Sequence, residues 1–411
     1  MPPSATTTAA QLSPQAETGQ GSVVAQQRRP LRGVHMLLAV VATVVMAGGV
    51  WFGPTNVKRR GGMQPPPPQQ HDRTVVASLT PSAGDETEGV PPSRRRASYP
   101  RELSHYSLFQ GEMAALTPAE GVIENQLNTP LFADYSEKQR LIKLPEGTAV
   151  GYTPTGPLDF PVGTVIAKTF FYPADARDPD GPRRLVETRI LEHRDEGWVG
   201  IPYLWNDEQT AASLALTGGE VEVAWVHADG QARENVHLVP NFNDCKRCHA
   251  TPTMQPLGPQ ARNLNHGATN NQLVAWTEAG ILTGMPDHAD VPRLAVWDDP
   301  SSGTVDERAR AYLDVNCAHC HSEQGPARNS GLHLDAATAD PYRLGVFKTP
   351  VAAGRGTGGR LYGIVPGKPH ESIMHYRLET TNAGEMMPEF GRSLVHVEGL
   401  ALITEWIEGM E

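Results

Sequence analysis

Cysteine is scarce in this chain, with four residues among 411. So few cysteines exclude the disulfide-dense scaffolds of small secreted proteins, in which many bridges compensate for a small core. Positive charge is also in deficit, because 35 Lys and Arg face 46 Asp and Glu and leave a net charge of −11. That balance argues against nucleic acid as the main partner. A hydrophobic content of 39% still allows two to three folded domains.

Residues 34–53 lack Asp, Glu, Lys and Arg. As a helix they would span about 30 Å, the thickness of the hydrocarbon core of a bilayer. We predict a transmembrane segment here, either a cleaved signal peptide or a retained signal anchor that associates the protein with the membrane. Residues 1–33 precede it as a disordered cytoplasmic tail. Residues 54–100, which hold nine prolines, follow it as a disordered linker.

The folded body is more acidic than the whole chain. The first 100 residues carry ten Lys or Arg and five Asp or Glu, a balance of +5, so the total of −11 leaves −16 for the rest. We predict that residues 101–240 form a β-rich module with a short helix at residues 133–141. Three of its segments alternate apolar with polar residues or are β-branched: 164–172, 185–193 and 220–227. The module has no recognisable nucleophile with a base, phosphate loop or carboxylate pair.

All four cysteines belong to two copies of the pattern Cys-x-x-Cys-His. The first motif contains Cys245, Cys248 and His249, and the second contains Cys317, Cys320 and His321. Cysteines three apart on a helical turn project from one face, where they match the two vinyl groups of a heme. The next His lies one turn from the first Cys and can bind the iron. We therefore predict two covalently bound heme c groups, with His249 and His321 as axial ligands.

Two disulfides, a zinc site of four cysteines or a redox-active pair remain as alternatives, because Cys-x-x-Cys also occurs in zinc ribbons and thioredoxin-like centres. A zinc ribbon does not require His after both pairs, and its pairs usually lie closer together in the chain than these two do. Heme attachment by thioether bonds takes place on the outer side of the bacterial inner membrane. We therefore expect the acidic body in the periplasm, tethered to the inner membrane if the N-terminal helix is retained.

Residues 301–411 resemble a class I cytochrome c domain. A predicted helix at residues 305–315 leads into Cys317, and an amphipathic helix at residues 398–410 ends the chain. Met387-Pro388 follows His321 after a long wrapping segment. In that family a Met followed by Pro is the sixth ligand, so the resemblance assigns Met387 to the iron. A thioether ligand favours ferrous iron and a higher potential.

The first motif, in residues 241–300, leaves its sixth ligand open. Met285-Pro286 is the leading candidate because it again pairs Met with Pro, although the loop that joins it to His249 is short for a cytochrome c domain. His266, Met254 and an open or water-bound iron are the alternatives.

Longer strings carry a second resemblance. The segments LNTPLFADYSEKQR, FPVGTVIAKTFFY, ERARAYLDVNCAHCH and MMPEFGRSLVHVEG are similar to those of a largely uncharacterised bacterial family of exported diheme c-type cytochromes. The resemblance extends from about Tyr106 to the C-terminus. It implies heme c binding and electron transfer, and it names no substrate.

Together these patterns predict a multidomain α+β fold, with a β-rich N-terminal module followed by two mostly α-helical cytochrome c-like heme modules. We expect a periplasmic diheme c-type cytochrome that carries single electrons between a periplasmic redox enzyme and the respiratory chain. The alternatives are a diheme peroxidase or oxidase with an open coordination site on the first heme, and a redox or gas sensor. The charge of −16 predicts redox partners with a basic docking patch.

Overall fold

Strand-forming residues dominate the first half of the chain that the structure describes. The computed structural model describes residues 98–249, 253–267 and 271–411. The predicted cytoplasmic tail, the predicted membrane segment and nearly all of the linker lie outside these residues. Within the described ranges, no helix is long and apolar enough to cross a bilayer.

The strands fall in three sheets in the described part of the chain. They are β1 (Val122–Glu124), β2 (Glu137–Lys143), β3 (Val150–Gly151), β4 (Val165–Pro173), β5 (Arg183–Arg194), β6 (Gly197–Trp205), β7 (Ala212–Leu214), β8 (Gly219–Val226), β9 (Ala232–Val239) and β10 (Leu282–Thr283). The largest sheet is antiparallel, with the order β1-β2-β4-β5-β6-β7. The strands predicted at 164–172, 185–193 and 220–227 are present as β4, β5 and β8, where β-branched and aromatic residues suit a pleated surface.

The two faces of the large sheet have different neighbours. One face buries Leu141, Ile190 and Tyr203 in a hydrophobic cluster. The other face is apolar near Ile142 and again near Phe170, which belong to two separate clusters. Between these clusters the face is charged, because basic side chains lie directly opposite one another on β2, β4 and β5.

The predicted helix at residues 133–141 is wrong, because this region enters β2 at Glu137. Leu141 is 1% exposed and lies opposite Ala167 of β4 in the core of the sheet. The segment EKQRLIK has no strong strand propensity of its own. Pairing with β4 and burial of its apolar end therefore override the local preference for a helix.

The region predicted as the first heme module is joined to the sheet module by backbone pairing. β10 pairs in parallel with β3, which places Leu282 opposite Val150. Leu273, Trp276 and Leu282 share a hydrophobic cluster with Ile142 of β2. The first motif is therefore built onto the sheet.

The prediction of two mostly α-helical heme modules is also wrong. The described chain is a β-rich antiparallel sheet domain in which helices account for 24% of residues. Its α-helices are α1 (Cys245–His249), α2 (Ala261–Leu264), α3 (Gln272–Glu278), α4 (Val305–Leu313), α5 (Pro341–Leu344), α6 (Ile373–Glu379) and α7 (Val397–Glu408). Residues 322–372 hold nine Gly and five Pro, which cost about 1 and 3 kcal/mol each in a helix interior, so long helices do not form there.

Two of the predicted helices in the C-terminal region are present and pack together. α4 corresponds to the helix predicted at 305–315, and α7 corresponds to the one predicted at 398–410. Ile403, Trp406 and Ile407 of α7 are buried in a cluster with Tyr312 and Leu313 of α4. This helix pair supports the second motif.

Candidate functional site

The second motif begins where α4 ends. α4 starts with a capping box, in which the Thr304 hydroxyl accepts from the Glu307 backbone N–H and the Glu307 carboxylate accepts from the Thr304 N–H. After Leu313 the chain widens into a π turn over Asp314–Ala318, which carries Cys317. Such π turns inside helices are frequent at functional sites. The sequence thus anchors the thiol at the end of a well-capped helix.

A cavity of about 450 Å³ lies against this motif. Cys317, Cys320 and His321 contribute to its wall, and Met387 contributes from a segment much further along the chain. Most of the remaining wall is apolar and includes Leu313, Leu334, Leu344, Ile373 and Leu378. The volume falls within the range of about 300–1,000 Å³ that is usual for cofactor and ligand pockets.

His321 presents one ring nitrogen for coordination. Its Nδ1 lies 3.0 Å from the Ser330 hydroxyl oxygen, at hydrogen-bonding distance. Burial, followed by the nearby Arg377, lowers the pKa of His321 to about 4, so the ring is neutral at pH 7. A neutral imidazole with one nitrogen occupied by a hydrogen bond is the usual form of a metal-binding histidine.

A buried arginine holds the backbone of Met387 in place. Arg392 is 6% exposed, and its guanidinium donates to four carbonyl oxygens: those of Met387, Leu394, Arg377 and Thr380. The Met387 N–H donates in turn to the Arg377 carbonyl at 2.8 Å. The Met387 loop is therefore fixed before any group enters the cavity. Sequence reasoning missed Arg392, because nothing in the pattern of one arginine shows that its partners are main-chain carbonyls.

The first motif coincides with α1 and packs against β6. A Cβ atom built on Gly200 of β6 would lie 2.8 Å from Cys245 Cβ and 2.7 Å from Met254 Cε, so only glycine lets the motif approach this closely. His249 donates through Nδ1 to the Gln255 carbonyl at 2.8 Å, which leaves Nε2 for coordination. Burial is the main cause that lowers the pKa of His249 to about 4.

The two motifs lie side by side. Cys320 Sγ is 4.0 Å from the carbonyl oxygen of Arg247 in the first motif. Cys248 lines the same cavity as the second motif. The fold thus brings together two motifs that are far apart in the sequence.

The candidate sixth ligands of the first motif lie in different surroundings. Met285 packs in the hydrophobic cluster of Trp276, and its sulfur lies 3.7 Å from the Thr277 hydroxyl. The Nδ1 atom of His266 is 2.9 Å from the Asn128 side-chain oxygen. Met254 lies beside Cys245 over Gly200. Met254 is thus the candidate with a described neighbour in the motif, while Met285 stays a prediction.

The alternatives to heme attachment have little support in the geometry. All four cysteine thiols are free of disulfide bonds. Burial raises the pKa of Cys317 to about 12 and that of Cys320 to about 11, so both are protonated thiols at pH 7. In the described ranges, no group of three or more His, Cys, Asp or Glu side chains is placed to hold a metal ion directly. A four-cysteine zinc site is therefore not formed there.

No family model, curated protein or solved structure matches this chain.

Proposed function

We propose that the second motif holds a covalently attached heme c. Cys317 and Cys320 would form the thioether bonds, and His321 and Met387 would be the axial ligands. When bound, the heme supplies an iron that changes between the ferric and ferrous states and so carries one electron. The single observation that carries the proposal is the convergence of these four side chains on one largely apolar cavity.

The donor set fits the chemistry of this group. The thiols of Cys317 and Cys320 are neutral and can add to the vinyl groups of a heme. The imidazole of His321 is also neutral, and its Nδ1 lies next to the Ser330 hydroxyl. Apolar side chains around the cavity would exclude water from the porphyrin face, which favours the uncharged thioether of Met387 over water as a ligand. The protein thus positions the two thiols and His321, excludes water from the cavity and fixes the loop that carries Met387.

We propose a second heme c on the first motif, with thioether bonds to Cys245 and Cys248 and with His249 as the axial ligand. The hydrogen bond from His249 Nδ1 to the Gln255 carbonyl supports this role, because it matches the arrangement at His321. The contact between Cys320 and the backbone of Arg247 supports electron exchange between the two groups. The function that follows is that of a diheme electron carrier in the periplasm.

Basic side chains outnumber acidic ones in the wall of the cavity. Arg247, Lys348 and Arg377 contribute to it, together with Glu389. Lys348 and Val351 line the cavity, and Val351 is 70% exposed. A partner that docks at the mouth of this cavity would therefore need acidic groups, whereas the net charge of −16 favours a basic patch elsewhere on the body. Lys348→Glu should slow reduction by an acidic partner and leave reduction by a basic partner at least as fast.

Spectroscopy of the exported protein tests the proposal. The chain is produced in the periplasm of a host with heme-attachment machinery, and the heme content is measured on the denatured, reduced protein. We expect two hemes per chain. Met387→Ala should abolish the far-red sulfur-to-iron band, and Met386→Ala, its neighbour, is the matched control that should keep it. Protein without covalent heme, or a band that survives Met387→Ala, would contradict the assignment.

The same sample decides between electron transfer and the enzyme alternative. Two low-spin six-coordinate hemes that do not react with carbon monoxide or peroxide support the carrier. An open iron on the first motif that binds carbon monoxide supports a diheme peroxidase or oxidase. The reaction with carbon monoxide is informative because the sixth ligand of the first heme is unassigned.

A further inference from the structure

Four basic side chains share one face of the large sheet. Arg140 of β2 lies opposite Lys168 of β4, and Lys168 lies opposite Arg189 of β5. Lys138, two residues before Arg140, points to the same side of the sheet because side chains alternate along a strand. The cationic groups of Lys138, Lys168 and Arg189 lie 5.9, 5.1 and 4.3 Å from the centre of the Phe170 ring. We call these four residues the cation row.

The cation row has too little negative charge around it. Glu187 is fully buried and is already shared, because its carboxylate accepts from Arg189 Nε at 2.9 Å and lies 2.8 Å from His237 Nε2. Among the described residues, no carboxylate lies at ion-pair distance from Lys138, Arg140 or Lys168. Like charges directly opposite each other in a sheet are destabilising. Glu137 attracts Lys138 and Arg140 from beyond ion-pair distance, so three cations lack a paired carboxylate within the described part of the chain.

These four side chains are partly buried, which makes the arrangement more costly than a fully exposed charged surface would be. Burial, followed by repulsion from Arg189 and Arg140, lowers the pKa of Lys168 to about 7. Burial, followed by Arg140 and Lys168, likewise lowers the pKa of Lys138 to about 7. An anion placed among these groups would offset the repulsion and accept hydrogen bonds from the cations.

The cation row lies beneath the first motif. Arg189 is opposite Pro202 of β6, and Gly200, two residues away on the same face, is in contact with Cys245. Lys168 lies opposite Arg189, so both cations share this face of the sheet with Gly200. The row therefore lies between the sheet and the group that would attach there.

We propose that the cation row is a binding site for an oxyanion. The ligand carries carboxylate or similar oxygen atoms that accept hydrogen bonds from Arg140 and Lys168. Two sources have this chemistry: the propionate groups of a porphyrin on the first motif, which rests on the proposed function, and a small diffusible anion such as inorganic phosphate. The site itself depends only on the sheet register and on the missing counter-charges.

The test uses the exported protein as isolated, with its heme content measured first. Thermal unfolding of the wild type, Lys168→Met and Lys368→Met is followed at pH 7 in chloride and in phosphate of equal ionic strength. Lys368 is exposed and pairs with Glu371 at 3.0 Å, so it is a matched control. Arg140→Met provides a second variant of the row. The reduction potentials of the same proteins are measured between about pH 5 and pH 8.

A diffusible anion predicts that phosphate raises the unfolding midpoint of the wild type and Lys368→Met by about 3 °C or more, and leaves Lys168→Met unchanged. Porphyrin propionates predict no phosphate effect. They predict instead that Lys168→Met and Arg140→Met give one heme a pH-dependent potential, because an unpaired propionate takes up a proton more readily.

The proposal is overturned if neither effect is seen, including the case in which Lys168→Met simply raises the unfolding midpoint through lost repulsion. Protein without heme would refute the proposed function, but the phosphate comparison would still decide whether the cation row binds an anion.

Discussion

The two Cys-x-x-Cys-His motifs have the same chemistry and different surroundings. The second ends a capped helix and faces an apolar cavity of about 450 Å³ that also contains Met387. The first is a five-residue helix packed on β6, on the same face of the sheet as Lys168 and Arg189. The second motif therefore faces an apolar cavity, which Cys248 of the first motif also lines, and the first motif in addition lies over positive charge. The same short motif thus occurs in two environments, and the environment decides what a group proposed to attach there would contact.

Removal of the attachment cysteines should separate the two motifs most strongly. Cys317→Ser with Cys320→Ser should lower the heme content from two to one and leave the large cavity unfilled. Without a heme the apolar wall of this cavity is exposed to water, so we expect a large loss of stability. Heme content and urea unfolding measure both effects.

The matched pair is Cys245→Ser with Cys248→Ser, which should also remove one heme but cost less stability. Equal losses of stability for the two double variants would contradict the difference in their surroundings.

Removal of the buried carboxylate of Glu187 tests the charged surroundings of the first motif. Glu187→Gln should destabilise the protein by about 3–5 kcal/mol at pH 7, because Arg189 and His237 lose their partner. Burial alone would raise the pKa of Glu187, but Arg189 and His237 lower it to about 2, below its ordinary value of 4.5. Its stabilisation is therefore complete above pH 4.5 and is lost as the pH falls through about 2.

Urea unfolding from pH 7 down to about pH 3 checks this sign, since the gap between wild type and Glu187→Gln should begin to close below pH 4.5. Glu371→Gln, in an exposed ion pair, is the control and should cost less than about 1 kcal/mol. If the difference in unfolding free energy between wild type and Glu187→Gln grew in acid, Glu187 would not be the ionised group that stabilises the fold.

The loop that carries Met387 belongs to the apolar surroundings of the second motif. Arg392→Met should cost about 2–3 kcal/mol, because four carbonyl oxygens lose a buried donor. It should also weaken the far-red band of the second heme while the first is unchanged. Arg355→Met, at a side chain that is 85% exposed, is the control. Loss of stability with an unaltered band would show that Arg392 does not position Met387.

The smallest effect is expected at the cap of α4. Thr304→Ala removes the hydroxyl that accepts from the Glu307 N–H and should cost about 1 kcal/mol. Chemical denaturation detects a change of this size, and both heme spectra should stay the same. A spectral change at the second heme would mean that the capped end of α4 is coupled to the cavity.

Several parts of this fold were predictable from local patterns. Alternating and β-branched residues predict β4, β5 and β8, and the helical run at residues 305–315 predicts α4. The helix predicted at 133–141 failed because partner strands, rather than local preference, decide β2. The prediction of two helical modules failed because the resemblance to cytochrome c came from short motifs. The Gly- and Pro-rich segment at residues 322–372, which follows the second motif, forms mainly turns instead of long helices.

Part of the candidate site was also predictable from the sequence. The motifs were identified from their spacing and Met387 from the resemblance to class I cytochrome c, and the structure brings Met387 to the cavity beside His321. Arg392, Ser330 and Gln255 were not predicted, because their roles depend on carbonyl and imidazole groups brought near by the tertiary fold. The preference for Met285 has no described contact that supports it, and Met254 has the nearer position to Cys245.

The residues present and their spacing are enough to identify the four cysteines, the two histidines that follow them and the acidic charge of the body. The tertiary structure is needed to show that the two motifs adjoin, that they share an apolar cavity, and that the first motif also lies over Lys168 and Arg189. The physical reason is that these contacts join residues far apart in the chain: strand register decides which cations share a face, and packing of helices and turns around Cys317 forms the cavity.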